Sequence, residues 1–180
     1  MKFICNTIIL VSAVAIMHHA SAQENRLLQE SEISEAVVID ALAPEKSSRT
    51  RSFIPLDEER DAKMSPAPSA SMLITFNTNS AELTHGAKEA LDKIGRALNM
   101  DKLAEFSFTI EGHADLSGTY QFNQHLSKAR ADTVKNYLIN WHHIEPRRLS
   151  AIGKGYTELI NKHNPLAPEN RRVKLVRNEK

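Results

Sequence analysis

Residues 105–141 read EFSFTIEGHADLSGTYQFNQHLSKARADTVKNYLINW, and this stretch decides the fold. Its first part alternates Phe106, Phe108 and Ile110 with polar residues, which is the period-two pattern of a strand with one buried face. Its second part opens at Thr119, a competent helix N-cap, and keeps apolar residues at helical spacing to the end. The stretch therefore predicts a strand followed by a long helix.

The long helix is expected to bury one stripe of side chains against the sheet. That stripe is predicted to consist of Phe122, Leu126, Ala129, Thr133, Val134, Tyr137, Leu138 and Trp141. Tyr137 and Trp141 are expected in the core for this reason, and an aromatic platform for sugars is the alternative.

Further elements flank this unit on both sides. Upstream, residues 72–76 (MLITF) are typical of a buried strand, and Thr84 can cap a helix with apolar residues spaced by three and four. Downstream, residues 149–152 and 172–177 are predicted strands, and the strand in the quoted stretch covers 105–111. The element order is β-α-β-α-β-β, which indicates the α/β class.

The connections predict the directions of the strands. Helix-length crossovers join the first three strands, so we expect parallel pairs with right-handed connections. The last connection, residues 153–171, carries Pro165 and Pro168 without a helical period, so the fourth strand is expected to return antiparallel. Its charges on one side are typical of an edge strand. The prediction is a mixed four-stranded sheet with helices packed on it.

This topology brings polar residues from distant parts of the chain to one rim. Ligands of open α/β sheets bind beyond the carboxyl ends of the parallel strands. Asn79 follows the first strand, Asp115 follows the second, and Arg130 lies on the helix that starts from the same edge. An antiparallel fourth strand would bring Asn170 and Arg171 there too.

Two readings of the charged pair at this rim stay open on spacing alone. Asn123 and Arg130 are nearly two turns apart and project from the same side of their helix. The carboxylate of Asp115 and the guanidinium of Arg130 would together complement a zwitterion with an ammonium and a carboxylate. The alternative is a structural ion pair between these two side chains.

An ordered set of short motifs makes the family recognisable. They are Phe76-Asn77-Thr78-Asn79-Ser80, Glu111-Gly112-His113-Ala114-Asp115, Gly118, Asn123, Leu126-Ser127-Lys128-Ala129-Arg130-Ala131, Arg148-Leu149, Gly153-Lys154-Gly155 and Asn170-Arg171-Arg172-Val173. Over about residues 70–178 the chain resembles the OmpA-like domain. Each motif alone is weak, whereas the set in this order is specific.

The resemblance implies non-covalent binding of peptidoglycan through the free amino-acid end of diaminopimelate in the stem peptide. It implies that Asp115 takes the ammonium, that Arg130 takes the carboxylate, and that Asn79, Asn123 and Arg171 line the pocket. One departure is Ala114, where the family often has Thr, so a hydroxyl beside the acid is missing.

The N-terminus has the pattern of an export signal. Lys2 precedes an apolar run at residues 8–17 and the triplet Ala20-Ser21-Ala22, which is the order of a cleaved signal peptide covering residues 1–22. An uncleaved membrane anchor is the alternative, but a span needs about 20 apolar residues. Cys5 precedes the apolar run, so it is badly placed for lipid attachment. We expect a periplasmic protein of a Gram-negative-type cell, free or associated with the outer membrane.

Residues 23–70 are predicted to be an N-terminal tail before the domain at residues 71–180. Residues 27–42 have the pattern of a short helix that Pro44 would end. The Ser-, Arg- and Pro-rich stretch that follows is typical of a linker. The tail is the candidate contact for an envelope protein partner, and the oligomeric state is not predicted.

Composition and spacing argue against several other functions. With 23 Lys and Arg against 22 Asp and Glu, the 180-residue chain lacks the basic charge that nucleic acid requires. The single cysteine excludes an internal disulfide. His113, Asp115 and Ser127 could serve a periplasmic hydrolase or a metal-dependent enzyme, but a strained G-x-S-x-G elbow and further metal ligands are not evident. We therefore expect a binding protein without a catalytic site, metal or cofactor.

Overall fold

The computed structural model describes residues 27–43, 67–77 and 80–178. The expected signal peptide, most of the expected linker and Asn79 lie outside these residues. The described strands are β1 (Leu27–Leu28), β2 (Ser69–Met72), β3 (Phe108–His113), β4 (Leu149–Gly155) and β5 (Val173–Arg177). The described helices are α1 (Glu35–Leu42), α2 (His85–Asn99), the short α3 (Asp101–Ala104) and α4 (Tyr120–His142).

The α/β class and the mixed sheet are confirmed, with five strands in place of four. The strand order is β1-β2-β5-β3-β4. β1 is parallel to β2, β3 is parallel to β4, and β5 lies antiparallel between β2 and β3. The additional strand, β1, comes from the segment expected to be a tail.

Two predictions about strand neighbours were wrong. The first predicted strand does not pair with β3, because β5 is inserted between them. For the same reason β5 is not an edge strand. A central strand can carry charged residues when they pair with a neighbouring strand. Lys174 lies opposite Glu111 in the register of β3 and β5, so unlike charges face each other across the two strands.

The strand predicted at residues 72–76 is present as β2, but it lies earlier in the sequence, at Ser69–Met72. Met72 is the last residue paired with β5, opposite Val173. Beyond it, the backbone N–H of Thr75 donates to the Glu30 carboxylate at 2.8 Å, so this donor is taken by a side chain. Phe76 forms only an isolated bridge with Leu83.

Helix α4 was predicted correctly in extent but not in orientation. The Thr119 hydroxyl accepts the backbone N–H of Phe122 at 3.2 Å, as expected of the N-cap. The face turned to the sheet consists of Asn123, Ser127, Arg130, Ala131, Val134 and Leu138. Phe122 is 50% exposed and Trp141 is 72% exposed, so Trp141 is not a core residue.

The orientation of α4 follows from two glycines in the sheet. A Cβ at Gly112 would lie 2.0 Å from the Ser127 carbonyl oxygen, and one at Gly153 would lie 2.7 Å from the Gln124 carbonyl oxygen. The helix backbone therefore rests directly on β3 and β4, and small or polar residues occupy this contact where larger apolar ones would not fit.

Residues 27–43 contribute to the same hydrophobic core as the rest of the sheet and helices. Only the second half of the helix predicted over residues 27–42 is present, as α1 with its N-terminus capped by Ser34, because β1 and a short 3-10 turn (Glu30–Glu32) occupy the first half. Leu28, Ile33, Val38 and Leu42 are buried in the common core. The packing therefore crosses the boundary expected between residues 70 and 71. No helix among the described ranges is both long and apolar enough to span a membrane.

Replacing Leu42 with alanine should destabilise the whole domain. Its side chain is fully buried, so the change should lower the free energy of unfolding by about 2–5 kcal/mol. Asp40→Ala, on the exposed side of the same helix, is the matched control and should change it by at most about 0.5 kcal/mol. Urea denaturation measures both. Equal effects would contradict the docking of α1.

Candidate ligand-binding site

A rim of charged side chains forms where β3 ends, α4 begins and β5 begins. The backbone N–H of Ala114 donates to the Gly155 carbonyl at 2.7 Å, which holds the end of β3 against β4. The N–H of His113 donates to the Arg172 carbonyl at 2.9 Å and holds it against the segment before β5. These bonds place Asp115 beside Arg171, although 56 residues separate them.

Asp115 is buried and ionised at this rim. One carboxylate oxygen accepts the Ser117 backbone N–H at 2.9 Å and also its hydroxyl, and the other accepts Arg171 Nη1 at 2.7 Å. Burial alone would raise the pKa of Asp115, but Ser117 and Arg171 outweigh it and lower that pKa. A carboxylate accepts about four hydrogen bonds, so one more donor can be accommodated.

Arg130 brings a cation to the same rim from the buried face of α4. It is 9% exposed, its Nε donates to the Ser80 carbonyl at 3.1 Å, and its guanidinium lies 5.0 Å from the centre of the Phe76 ring. Among the described residues, its terminal nitrogens have no hydrogen-bond acceptor. These two nitrogens carry a planar pair of N–H donors, a geometry that matches a carboxylate.

The charges around Arg130 favour an added anion. Burial lowers the pKa of Arg130, and repulsion from Arg171 lowers it further, whereas attraction to Asp115 raises it. The net direction is downward, so the described surroundings do not fully compensate the guanidinium charge. The ion pair considered between Asp115 and Arg130 forms instead between Asp115 and Arg171.

The other predicted residues support the rim in different ways. Asn123 is buried and its amide donates to the Ser117 carbonyl, so it holds the turn that carries Asp115. Asn170 is fully buried and donates to the carbonyls of residues 161, 164 and 165, which fixes the loop just before Arg171. Asn79 lies outside the described residues.

Three contributors were missed by sequence reasoning. Ser117 fixes the carboxylate of Asp115, Phe76 lies against the Arg130 guanidinium, and the Ser80 carbonyl holds Arg130 Nε. Ser117 could have been found, since Asp-x-Ser is a common turn in which the carboxylate accepts the N–H two residues later. The other two depend on how the loop after β2 folds back, which no local pattern indicates.

The residues considered for a hydrolase are not arranged as a catalytic triad. The Ser127 hydroxyl donates to the Gln124 carbonyl and accepts the Gly155 N–H, each at 3.0 Å. Both oxygens of Asp115 are bound to Ser117 and Arg171. The ring nitrogens of His113 bond to neither of them, so the base does not join a nucleophile to an acid.

The sheet order, the helix resting on paired glycines and the mixed-charge rim define an α/β domain with acidic and basic side chains at one end of its sheet. The chain belongs to the OmpA family, whose sequence profile matches residues 75–172. The resemblance seen in the ordered motifs is thereby confirmed.

Relatives in this family include an outer membrane protein and a lipoprotein. Outer membrane protein Omp38 of Acinetobacter baumannii is 33% identical over 105 residues, which cover 56% of this chain and 28% of that protein. The peptidoglycan-associated lipoprotein of Rhizobium meliloti is 36% identical over 67 residues, 37% of each chain. The chain thus spans less than a third of Omp38, and the similarity concerns the domain rather than whole proteins.

Solved structures share the fold. The OmpA-like domain of FopA1 from Francisella tularensis matches 72% of this chain and 94% of its own, with 19% identity and a TM-score of 0.51. The periplasmic domain of Helicobacter pylori MotB (residues 97–256) matches 64% of this chain and 84% of its own, with 18% identity and a TM-score of 0.55. At these identities the likeness concerns the fold alone.

Proposed function

We propose that this protein binds peptidoglycan non-covalently through the free zwitterionic end of diaminopimelate in the stem peptide. The observation that carries the proposal is the buried guanidinium of Arg130, whose terminal nitrogens have no acceptor among the described residues. An anionic ligand group would compensate this charge, and a carboxylate matches the two parallel donors of a guanidinium.

The ammonium of the same ligand would bind Asp115. Its carboxylate is held in place by Ser117 and Arg171 and retains capacity for one more donor. Arg171 therefore acts mainly by positioning Asp115, and Asn123 acts by holding the turn below it. Asn79, which lies outside the described residues, is proposed to line the pocket on the basis of the family resemblance.

Family membership supports binding to peptidoglycan. The Rhizobium meliloti relative is a peptidoglycan-associated lipoprotein. Other relatives are outer membrane proteins, which supports a place in the periplasm or at the outer membrane of a Gram-negative envelope. We propose that binding holds the exported protein at the cell wall and that it is not an enzyme.

A contact with another envelope protein through residues 23–70 remains part of the proposal. The apolar side chains of α1 are already used in the core, with Val38 and Leu42 fully buried. A partner would therefore contact the exposed side of α1 or the parts of residues 23–70 outside the described ranges.

Co-sedimentation with purified sacculi tests the ligand directly. The chain should pellet with sacculi that contain diaminopimelate, and free diaminopimelate should compete. Sacculi with lysine at that position present an ammonium without the neighbouring carboxylate, so Arg130 would lose its partner and retention should fall by about tenfold or more. Equal retention on both would contradict the zwitterion, and no retention on either would contradict peptidoglycan binding.

A further inference from the structure

A second cluster of ionisable side chains lies on β3 and the loop after β4, separate from the groups that bind Asp115. It consists of Glu111, His113 and Glu158. One ligand-type atom from each residue lies within 4.8 Å of those from the other two. The sequence analysis weighed His113 and Asp115 as metal ligands and found no further ligand, whereas the structure brings the histidine close to two glutamates.

His113 is the unexplained member of this cluster. The residue is 1% exposed, and neither ring nitrogen has a hydrogen-bond partner. Nε2 faces a carboxylate oxygen of Glu111 at 3.8 Å, which is too long for a hydrogen bond. Buried polar atoms are almost always partnered, so an imidazole buried in this way suggests that a group belongs between it and the carboxylates.

We propose that Glu111, His113 and Glu158 bind a divalent transition-metal ion of the zinc type. One imidazole and two carboxylates are ligands that Zn²⁺ accepts, with water in the fourth position. Ligand atoms about 2 Å from zinc in a tetrahedron lie about 3.4 Å apart, so small side-chain rotations would close the cluster. Glu158 has an exposed side chain, which leaves the ion a route of entry from solvent.

Lys154 competes with the proposed ion for the carboxylates. Its ammonium lies 2.7 Å from Glu158 Oε1 and 3.6 Å from Glu111 Oε1. Arg172 adds a further positive charge beside the cluster, where its Nη2 donates to the Glu158 backbone carbonyl at 3.1 Å. A metal ion would have to displace the ammonium, so Lys154→Met should strengthen metal binding, whereas a merely structural carboxylate cluster predicts no such gain.

Zinc titration of the full chain, after treatment with a chelator, tests the proposal by competition with a chromophoric zinc indicator. One Zn²⁺ should bind, His113→Gln and Glu158→Gln should each weaken binding by about tenfold or more, and Lys154→Met should tighten it. His85→Gln is the matched control, because His85 forms an exposed pair with Glu89 that could bind zinc adventitiously. This control should leave the tight site unchanged.

Three results would overturn the proposal: no zinc binding, binding that His85→Gln removes, or binding that survives Glu158→Gln and Lys154→Met unchanged. If His113→Gln does not fold, the variants of the exposed Glu158 and the half-buried Lys154 decide, because neither side chain belongs to the hydrophobic core. A rise in melting temperature with zinc, present in the parent chain and absent in Glu158→Gln, gives a second readout.

Discussion

Arg130→Ala should reduce binding to diaminopimelate-containing sacculi by about 2–5 kcal/mol, or roughly 30-fold to several-thousand-fold in Kd. The truncation would leave the ligand carboxylate in the rim without its bidentate partner. Arg130→Lys should also bind poorly, because an ammonium cannot reproduce the planar pair of donors. Arg147→Ala is the control. It removes an exposed arginine from the turn that precedes β4, and this variant should bind like the parent chain.

The effect must be separated from a loss of folding. Arg130 makes a cation–π contact with Phe76 and one hydrogen bond to the Ser80 carbonyl, so its removal will cost some stability. Melting temperature and sacculus retention should therefore be measured on the same samples. Retention equal to that of the parent chain, in a folded Arg130→Ala protein, would contradict the site.

Asp115→Asn tests whether the carboxylate binds the ligand ammonium or only stabilises the fold. The amide keeps the shape of the side chain but removes the charge that would hold the ligand ammonium. It also leaves Arg171 without its ion pair. The unpaired Arg171 would then lie near Arg130, and repulsion between these two arginines already adds to the effect of burial in lowering the pKa of Arg130. We expect a loss of sacculus binding comparable to that of Arg130→Ala. Unchanged binding together with a lower melting temperature would mean that Asp115 is only structural.

The rim could be predicted from the sequence because topology and local patterns agree there. Asp115 follows an alternating strand, Arg130 lies on a helix with a recognisable N-cap, and β5 returns antiparallel as expected from its connection. Which arginine pairs with Asp115 could not be predicted. That choice depends on the loop held by Asn170, whose hydrogen bonds join residues that no periodic pattern links.

The errors about the orientation of α4 and the position of β5 share one physical cause. The sequence pattern of an element does not show which distant strand will lie against it. For α4, hydrophobicity pointed to a stripe ending at Trp141, whereas the helix packs through Ser127 and Gln124 onto glycines of β3 and β4. For β5, charges suggested an edge, whereas Lys174 is placed opposite Glu111 inside the sheet. In both cases polar residues occupy interior positions because their partners are supplied by distant strands.

Gly112→Ala should then be the most damaging single methyl addition in the sheet. Its Cβ would lie 2.0 Å from the Ser127 carbonyl oxygen and 2.9 Å from the carbonyl carbon, and backbone atoms cannot rotate away as a side chain can. Helix α4 would have to move off β3. Such overpacking typically costs 1–3 kcal/mol and occasionally more, and we expect a loss of about 3 kcal/mol in the free energy of unfolding.

Gly86→Ala is the matched control for this change. Its added Cβ would meet Glu30 Oε2 at 2.6 Å, whereas the other oxygen of this carboxylate holds Thr75, so a rotation about that bond relieves the contact without moving the backbone. Alanine also favours the helix by up to about 1 kcal/mol. The net change in unfolding free energy should therefore stay within about 1 kcal/mol. Urea denaturation of both variants compares them directly.

The same displacement should reach the ligand site. Asn123 and Arg130 lie on the buried face of α4 on either side of Ser127, so a helix that lifts from Gly112 moves both of them relative to Asp115 on the sheet. The folded fraction of Gly112→Ala should consequently bind sacculi less well than the parent chain, whereas Gly86→Ala should bind normally. Arg130 lies on α4 and Asp115 follows β3, so the distance between the two groups proposed to bind the zwitterion depends on how closely α4 approaches Gly112. The affinity for sacculi should therefore depend on this contact. A Gly112→Ala protein with parent-like stability and parent-like binding would show that α4 does not need this contact.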